Sequence, residues 1–368
     1  MSADVVVVGA GVIGCAVAWR AARAGMRVVV LERGTPGMEA SWAAAGMLSP
    51  LAEAHGPGPM LELLLAAREM YPSHVAALRE ATGIDAGYSD AGTLYLALRE
   101  EDEPELEARF AWQSAAGLGV ERLDARAARE AEPAVSHAVR TALRFPGDHQ
   151  VDNRSLASAL WSAARSAGAE FRLGVSAVRL RVEDGRAAGV SLADGSRVAA
   201  GAVVLAGGAW AGRLEGLPRP LPVEPVHGQL VAIETVPPLF RHVVDSPRCY
   251  LVTRASGRVI VGATVERTGE RKAVTPGGLT RLLTAAVEVA PALEHAPVME
   301  TWSGLRPGTP DGLPILGPDP EVAGLVYATG HYRNGILLAP LTGERIGALL
   351  AGEGWAGGME AFGIGRFG

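Results

Sequence analysis

An α/β fold is predicted for this chain: a Rossmann-like nucleotide-binding domain carrying an inserted, mostly antiparallel β-sheet domain. Three observations predict it. Residues 5–14 read Val-Val-Val-Val-Gly-Ala-Gly-Val-Ile-Gly, an apolar run that enters a glycine turn without a break. An acid, Glu32, closes the next apolar run. Further buried-strand runs at 202–208 and 324–329 lie mid-chain and near the C-terminus, with strand-rich stretches between them. At 368 residues the chain has room for one large or two modest domains.

The first unit is a βαβ element. A strand buried on both faces is a continuous apolar run, and 5–8 is one. Gly9 permits the tight turn, Gly11 lets the backbone approach a pyrophosphate, and Gly14 lets the helix pack close to the strand. A helix beginning at Val12 aims its amide N–H groups at that anion. Helical spacing carries Ile13, Val17 and Ala21 along one face, and Gly25 is its stop. Residues 27–31 form the second strand, and Glu32 follows where a carboxylate accepts hydrogen bonds from a ribose diol. Strand before, helix after and an acid about twenty residues on are the context that a Gly-x-Gly-x-x-Gly needs. Gly9, Gly11, Val12, Ile13, Gly14 and Glu32 are therefore candidate cofactor contacts. Glu32 argues against a 2′-phosphate, and hence against NADP; NAD and FAD both satisfy this unit.

Bulk properties narrow the class. The chain is 48% hydrophobic, enough for a sizeable core, with a formal net charge of −6, which disfavours a nucleic-acid partner. Its two cysteines, Cys15 and Cys249, are far apart and form no Cys-x-x-Cys. A disulfide framework and a cysteine-based metal site are excluded; no metal is expected, and a reducing cytoplasm fits. Lys272 is the only lysine, so any charged clamp must be arginine. Residues 5–19 and 198–212 are uncharged but short and glycine-rich, so neither a signal peptide nor a transmembrane segment is expected.

Along the chain, 38–49 is a small-residue segment that would let backbone amides approach a large flat ligand. Residues 60–82 are helical, with Leu61, Leu64, Leu65 and Arg68 spaced by three or four. Residues 90–98 alternate like a strand, 100–107 start a solvated helix, and 121–132 read as charged and helical. Asn153 is expected to cap a helix running to Ser166 and ended by Gly168. A strand at 171–173 follows, then 177–183 and 187–192 pair around Asp184-Gly185, with Asp194-Gly195 as the next turn. Four prolines between 218 and 225 mark a domain crossing. Strands are expected at 229–233, 249–253 and 259–263, a helix at 280–289, extended chain at 305–320, and a last helix at 334–350. The nucleotide-binding pieces are thus 1–84, 144–219 and 303–368, and the inserted domain is 85–143 and 220–302.

Four segments together give a resemblance: the N-terminal fingerprint; Ser41-Trp42-Ala43-Ala44-Ala45-Gly46-Met47-Leu48; Gly304-Leu305-Arg306-Pro307-Gly308-Thr309-Pro310-Asp311-Gly312; and Gly330-His331-Tyr332-Arg333-Asn334-Gly335-Ile336-Leu337-Leu338. Residues 249–265 also fit. Over nearly its whole length the chain resembles the FAD-dependent D-amino-acid oxidase and sarcosine oxidase family, and within it most nearly the glycine-oxidising members of thiamine biosynthesis. The resemblance implies a Rossmann-like FAD-binding domain with an antiparallel substrate domain, and FAD rather than NAD. By it, Glu32 and Arg33 bind the adenosine ribose region and Val175 the adenine. Ala40, Ser41, Ala45, Gly46 and Met47 line the pyrophosphate and flavin. His331, Tyr332, Arg333, Asn334, Gly335, Ile336 and Leu337 cover the isoalloxazine at the start of the last helix. A helix N-terminus there would stabilise the negative charge of a reduced flavin. Sarcosine oxidases attach flavin to a cysteine in their C-terminal half; neither cysteine falls there, so non-covalent FAD is expected.

The same resemblance assigns Arg306 to the substrate carboxylate, with Tyr250 as hydrogen-bond partner and Arg333 nearby. A buried carboxylate calls for a planar bidentate donor, and Pro307 pushes Arg306 into an extended backbone suited to a strand end. A surface salt bridge is the alternative for Arg306, a half-buried strand tyrosine for Tyr250, and a structural arginine paired with a carboxylate beneath the flavin for Arg333. His331 reads as flavin contact or packing. His227 departs from the family pattern, where Lys or Arg is common. The implied activity is oxidative deamination of glycine, sarcosine and small D-amino acids to an imine and then a 2-oxo acid and ammonia, with molecular oxygen giving hydrogen peroxide. No acid–base residue is needed if the amine arrives neutral. The resemblance also implies a homo-oligomer, a tetramer. The rivals are a D-amino-acid dehydrogenase passing electrons to a quinone, a flavin subunit of an electron-transfer complex, and an NAD-linked dehydrogenase.

Overall fold

A computed structural model describes residues 3–54, 56–355 and 357–368 of the chain. The fingerprint strand, Ala3–Val8, lies inside a six-stranded sheet. On one side it pairs in parallel with Val28–Glu32, and that strand with Glu170–Leu173. On the other side come Ala200–Leu205, then Leu325–Thr329, and finally Ile315–Pro318, the one antiparallel member. Helices Val12–Arg23, Pro59–Thr82, Asn153–Ser166 and Gly335–Leu350 cover one face with a shared apolar core. A three-stranded antiparallel sheet, Ala177–Glu183, Arg186–Leu192 and Arg197–Val198, contributes to the core on the other face. Cover on both sides is why the central strands are apolar without alternation.

The second sheet has eight strands, in the order Val298–Gly308, Glu224–Glu234, Arg258–Gly262, Tyr250–Thr253, Val243–Asp245, Thr93–Ala97, Thr141–Phe145, Glu121–Asp124. All its neighbours are antiparallel except Val243–Asp245 against Thr93–Ala97. Helix Pro276–Val289 packs on one face. The other face, with Leu230, Tyr250, Val252 and Trp302, meets Ala43 and Ala45 of the small-residue segment. The site therefore lies between two sheets of different construction.

Several local expectations need correction. Residues 121–132 are not one helix: Glu121–Asp124 is an edge strand opposite Thr141–Phe145, and Ala125–Ala131 is helical, capped by the Asp124 carboxylate accepting from the Ala127 N–H at 2.8 Å. A charged edge strand has no apolar face of its own, so its pattern resembles a solvated helix. Strands Thr141–Phe145 and Val243–Asp245 are additions to the expected set: each is short, and its pairing with a distant strand, more than its own pattern, makes it a strand. The cap of helix Asn153–Ser166 is Asp152, which accepts from the Ser155 N–H, and not Asn153. Asn153 is buried and faces the site.

Candidate active site

A cleft of about 500 Å³ runs between the sheets. It is lined by the predicted residues Gly9, Gly11, Val12, Ile13, Glu32, Arg33, Ala40, Ser41, Ala45, Gly46, Met47, Val175 and His331 to Ile336, and also by Tyr250, Arg306 and Arg333. Gly14 and Leu337 lie behind this lining. A Cβ on Gly14 would stand 2.0 Å from the Gly9 carbonyl oxygen, so its role is close packing. Leu337 is 1% exposed and belongs to the helical core.

The dinucleotide end is made of backbone. Gly9 has φ +104°, open to glycine alone at little strain, and an added Cβ would meet the Ala206 carbonyl oxygen at 2.5 Å. The Glu32 carboxylate accepts from the Ala10 N–H and the Gly34 N–H, both at 2.8 Å, which pins the acid beside the glycine turn. Arg33 stacks 3.9 Å over the Trp210 ring and pairs with Glu39. Trp210 lines the cleft and had escaped the sequence reading, although the Gly207-Gly208 pair before it marked the end of a buried strand.

The 40–47 segment is held from outside by side chains with no local signature. Asn153 Nδ2 donates to the carbonyls of Ser41 and Trp42 at 2.8 and 3.0 Å. Arg254, buried, donates to the Ala45 carbonyl at 2.6 Å and to Asn153 Oδ1 at 3.1 Å. Trp302 Nε1 donates to the Ala43 carbonyl at 3.0 Å. Burial pulls the Arg254 guanidinium down to about 10, still charged at neutral pH. These three anchors come from the start of helix Asn153–Ser166 and from the eight-stranded sheet, and they fix the small-residue segment between the two.

The substrate end is made of side chains. Arg306 lies on strand Val298–Gly308 and crosses over Gly228 of the neighbouring strand; a Cβ on Gly228 would come 2.2 Å from its Nη1. Tyr250 lies over Gly262, where a Cβ would come 2.3 Å from its hydroxyl oxygen. Two glycines thus make the floor for the two predicted substrate residues. Arg306 Nη1 donates to the carbonyls of Thr264 and His227 at 3.2 and 3.5 Å. Among the described residues no carboxylate is in ion-pair contact with it. Burial pushes the Tyr250 hydroxyl above its ordinary pKa, with the positive charges of Arg306 and Arg333 opposing the shift. It therefore remains a donor at neutral pH.

Arg333 has a partner that the sequence did not disclose. Its Nε stands 3.6 Å from Glu53 Oε1, and that charge, before any other influence, raises the Arg333 pKa. Glu53 lines the cleft on a turn that is tightly held. The Leu51 and Ala52 N–H groups donate to buried Asp148 at 3.1 and 2.9 Å. The carbonyls of the same two residues accept from Gln113 and Arg109. Burial drives the Asp148 carboxyl up to about 7 even though those two N–H groups pull it down. Asp245, at the end of its strand, is likewise raised to about 7, chiefly by burial, with Glu53 adding to the rise and Arg333 opposing it.

His331 is 3% exposed, and its Nε2 lies 3.1 Å from Thr342 Oγ1 on the last helix. Burial takes it down to about 3, so it is neutral near pH 7 and fastens the 331–334 turn to the helix. The Tyr332 N–H donates to the Pro307 carbonyl at 2.9 Å, tying the two C-terminal motifs together. Cys15 and Cys249 are both buried, and neither lines the cleft.

These features fit FAD. Two helices, Val12–Arg23 and Gly335–Leu350, begin in the cleft on Gly11 and Asn334, neither of which caps its helix with its own side chain; the Val12 N–H donates to Ser41 Oγ at 3.1 Å, and the positive end of each helix dipole faces the cleft. The glycine cradle, the acid at its rim and the small-residue wall suit a pyrophosphate, a ribose and a flat ring in turn. The fold and site together define an FAD-dependent oxidoreductase. The family described as "FAD dependent oxidoreductase" matches residues 4–349, and the chain belongs to it. The chain is 39% identical to the glycine oxidase of Geobacillus kaustophilus over 366 residues, 99% of this chain and 97% of that one. The crystal structure of glycine oxidase from Geobacillus kaustophilus superposes with a TM-score of 0.95, at 38% identity over 99% of this chain and 98% of that one. The bifunctional protein ThiO/ThiG of Synechocystis is 38% identical across 100% of this chain, which spans 54% of that longer protein.

Proposed function

We propose that the chain is an amino-acid oxidase acting on glycine, and on sarcosine and small D-amino acids as secondary substrates, with molecular oxygen as electron acceptor. The observation that carries this reading is Arg306: a half-buried guanidinium at the substrate end of an FAD cleft, without a carboxylate partner among the described residues and beside a protonated tyrosine. A small carboxylate would complete it bidentately. Tyr250 would donate its hydroxyl proton to the same carboxylate. Arg333, held by Glu53, would add positive charge without competing for the ligand. Bound FAD would supply the two-electron acceptor for hydride from the substrate Cα. Glu53 is already engaged and His331 is neutral and turned to Thr342, so the amine is best delivered unprotonated. Glycine as the preferred substrate is supported by the similarity, over nearly the full length of both chains, to the glycine oxidase of Geobacillus kaustophilus. Delivery of the imine to thiamine synthesis is supported by the likeness to the ThiO/ThiG protein.

The same reading assigns 1–84, 144–219 and 303–368 to the FAD-binding domain and 85–143 and 220–302 to the substrate domain, in a cytoplasmic homo-oligomer. Among the described residues no helix is long and apolar enough to cross a membrane. Anaerobic titration of the purified holoenzyme with glycine, sarcosine, D-alanine and D-phenylalanine tests the substrate assignment. Glycine should bleach the flavin and consume oxygen on aeration. Bleaching by D-phenylalanine alone, or reduction of a quinone dye without oxygen uptake, would replace this reading with a D-amino-acid dehydrogenase. Acid precipitation should release all the yellow colour into the supernatant; colour in the pellet would mean a covalent flavin.

A further inference from the structure

We propose that His227 and Glu266 are positioning residues for Arg306, acting from the far side of the sheet; the inference rests on the reading of Arg306 as the carboxylate clamp. The Arg306 guanidinium is oriented by two backbone carbonyls, those of Thr264 at 3.2 Å and His227 at 3.5 Å. Thr264 lies beyond the end of strand Arg258–Gly262, in a stretch without regular secondary structure that continues to helix Pro276–Val289. A carbonyl there is only as well placed as whatever fastens its segment.

That fastening is a polar network buried at His227 and Gln229 and half-buried at Glu266, whose carboxylate also pairs with Arg281 at 3.1 Å. The backbones of His227 and Glu266 exchange two hydrogen bonds, both 2.9 Å. The Glu266 carboxylate meets His227 Nδ1 at 3.1 Å and accepts from Gln229 Nε2 at 2.9 Å. Thr264 Oγ1 accepts the Gln229 N–H at 2.9 Å, so Thr264 is held on its side chain while its carbonyl faces Arg306. Successive residues of a strand point to opposite faces. Arg306 lies over Gly228; His227 and Gln229, its neighbours on either side, therefore point away from the cleft. Neither lines the cleft, and both are almost fully buried, at 2% and 0% exposure.

The chemistry of His227 supports a purpose beyond packing. A carboxylate only accepts, so Nδ1 carries the proton in this pair. Nε2 is then buried with no partner among the described residues. An apolar side chain would fill the space without leaving a buried polar atom unsatisfied. What the imidazole alone supplies is the Nδ1–H bond to Glu266, and Glu266 holds the segment that carries the Thr264 carbonyl. The linkage runs Glu266 to Thr264 to Arg306, with His227 as its fixed point in the sheet.

The test uses the holoenzyme with glycolate as a non-reacting carboxylate, its affinity read from the absorbance of bound flavin. His227→Ala should weaken glycolate and raise KM for glycine by roughly tenfold or more, as for misplacement of a clamp by a fraction of an ångström, with kcat at saturation near wild type. His227→Asn, whose Nδ2 can reach Glu266 from about where Nδ1 stood, should restore most of the affinity. Glu266→Gln keeps the shape but breaks half the network, and should weaken glycolate in the same direction; it carries the test if His227→Ala does not fold. Normal glycolate affinity in these variants, or a loss that His227→Asn fails to rescue, overturns the positioning role. Arg306→Ala separates the two layers. If it binds glycolate normally, the clamp reading falls and takes this inference with it. If it loses glycolate while His227→Ala and Glu266→Gln do not, only the positioning role is wrong.

Discussion

The two ends of the cleft are built from different materials. The dinucleotide end is mostly backbone: a glycine turn, two helix N-termini and one acid, nearly all within the first 32 residues. The substrate end is side chain: Glu53, Tyr250, Arg306 and Arg333, from four separate segments. A backbone site works by what is missing, and it has no tolerance for an added carbon. A side-chain site works by charge and hydrogen bonding, and it yields by degrees. The first should fail abruptly when crowded. The second should be adjustable one contact at a time.

The sharpest test of the first half is Gly14→Ala. In an ordinary helix this change stabilises by roughly 1 kcal/mol. Here the new Cβ would stand 2.0 Å from the Gly9 carbonyl, and backbone cannot swing away as a side chain can. The variant should purify without yellow colour and melt below wild type. A normal ratio of flavin to protein absorbance would show that the turn has slack, and the contrast between the two ends would collapse.

Next in size is Arg306→Ala. A substrate carboxylate left unpaired in a desolvated pocket loses about 2–5 kcal/mol. Apparent affinity for glycine and glycolate should fall accordingly, while the spectrum of bound FAD stays near wild type. Gly228→Ala should act in the same direction without touching the charge, since its Cβ would stand 2.2 Å from Arg306 Nη1. The guanidinium is a flexible group and can shift, so the loss should be smaller than for Arg306→Ala. A Gly228→Ala enzyme with wild-type KM would place the working position of Arg306 elsewhere than over that glycine.

The same division explains what was legible in the sequence. The dinucleotide end could be read because its parts are close together and each glycine answers a backbone demand. Arg306, Tyr250 and Arg333 were reached through the resemblance and not through any periodicity. Glu53 and Asp148 carry no local signal: one lies in a loop turn, the other before a two-residue strand, and only the fold brings them together. Asn153 was read as a helix cap because its neighbour Asp152 offers the same chemistry one position earlier, and a shift of one residue changed its role from cap to anchor. Strands Thr141–Phe145 and Val243–Asp245 escaped because pairing with distant strands, and not local pattern, makes them strands.

Glu53→Gln is a finer adjustment. The pair with Arg333 is partly exposed, at 19% and 41% for the two side chains. Such pairs are worth about 1 kcal/mol or less. Freed from its partner, Arg333 would offer a second carboxylate site beside Arg306. The ratio of kcat/KM for iminodiacetate over that for glycine should rise by a few-fold, up to about fivefold for 1 kcal/mol. A fall in both values without a change in their ratio would make Glu53 a support for the loop and not a determinant of substrate charge.

The smallest expected effect on activity belongs to His331, and it separates packing from chemistry at the junction of the two ends. Hydride leaves Cα readily only when the neighbouring nitrogen lone pair is free, so the ammonium form of glycine should be unreactive. Flavin reduction at subsaturating glycine should therefore accelerate as pH rises above neutral, following the substrate amine. His331→Gln, which can keep the bond to Thr342 Oγ1, should leave that profile where it is. Its effect should appear in stability. Burial lowers the folded pKa of His331 to about 3 from an unfolded value near 6.5. The unfolded chain then binds more protons between those values, so stability is complete above about pH 6.5 and is lost as pH falls towards 3. His74, lowered by burial to about 4, acts in the same direction. His331→Gln should make the acid loss of melting temperature shallower without abolishing it, because His74 remains. A variant whose reduction rate loses its dependence on pH would instead make His331 the proton acceptor, and the amine would no longer need to arrive neutral.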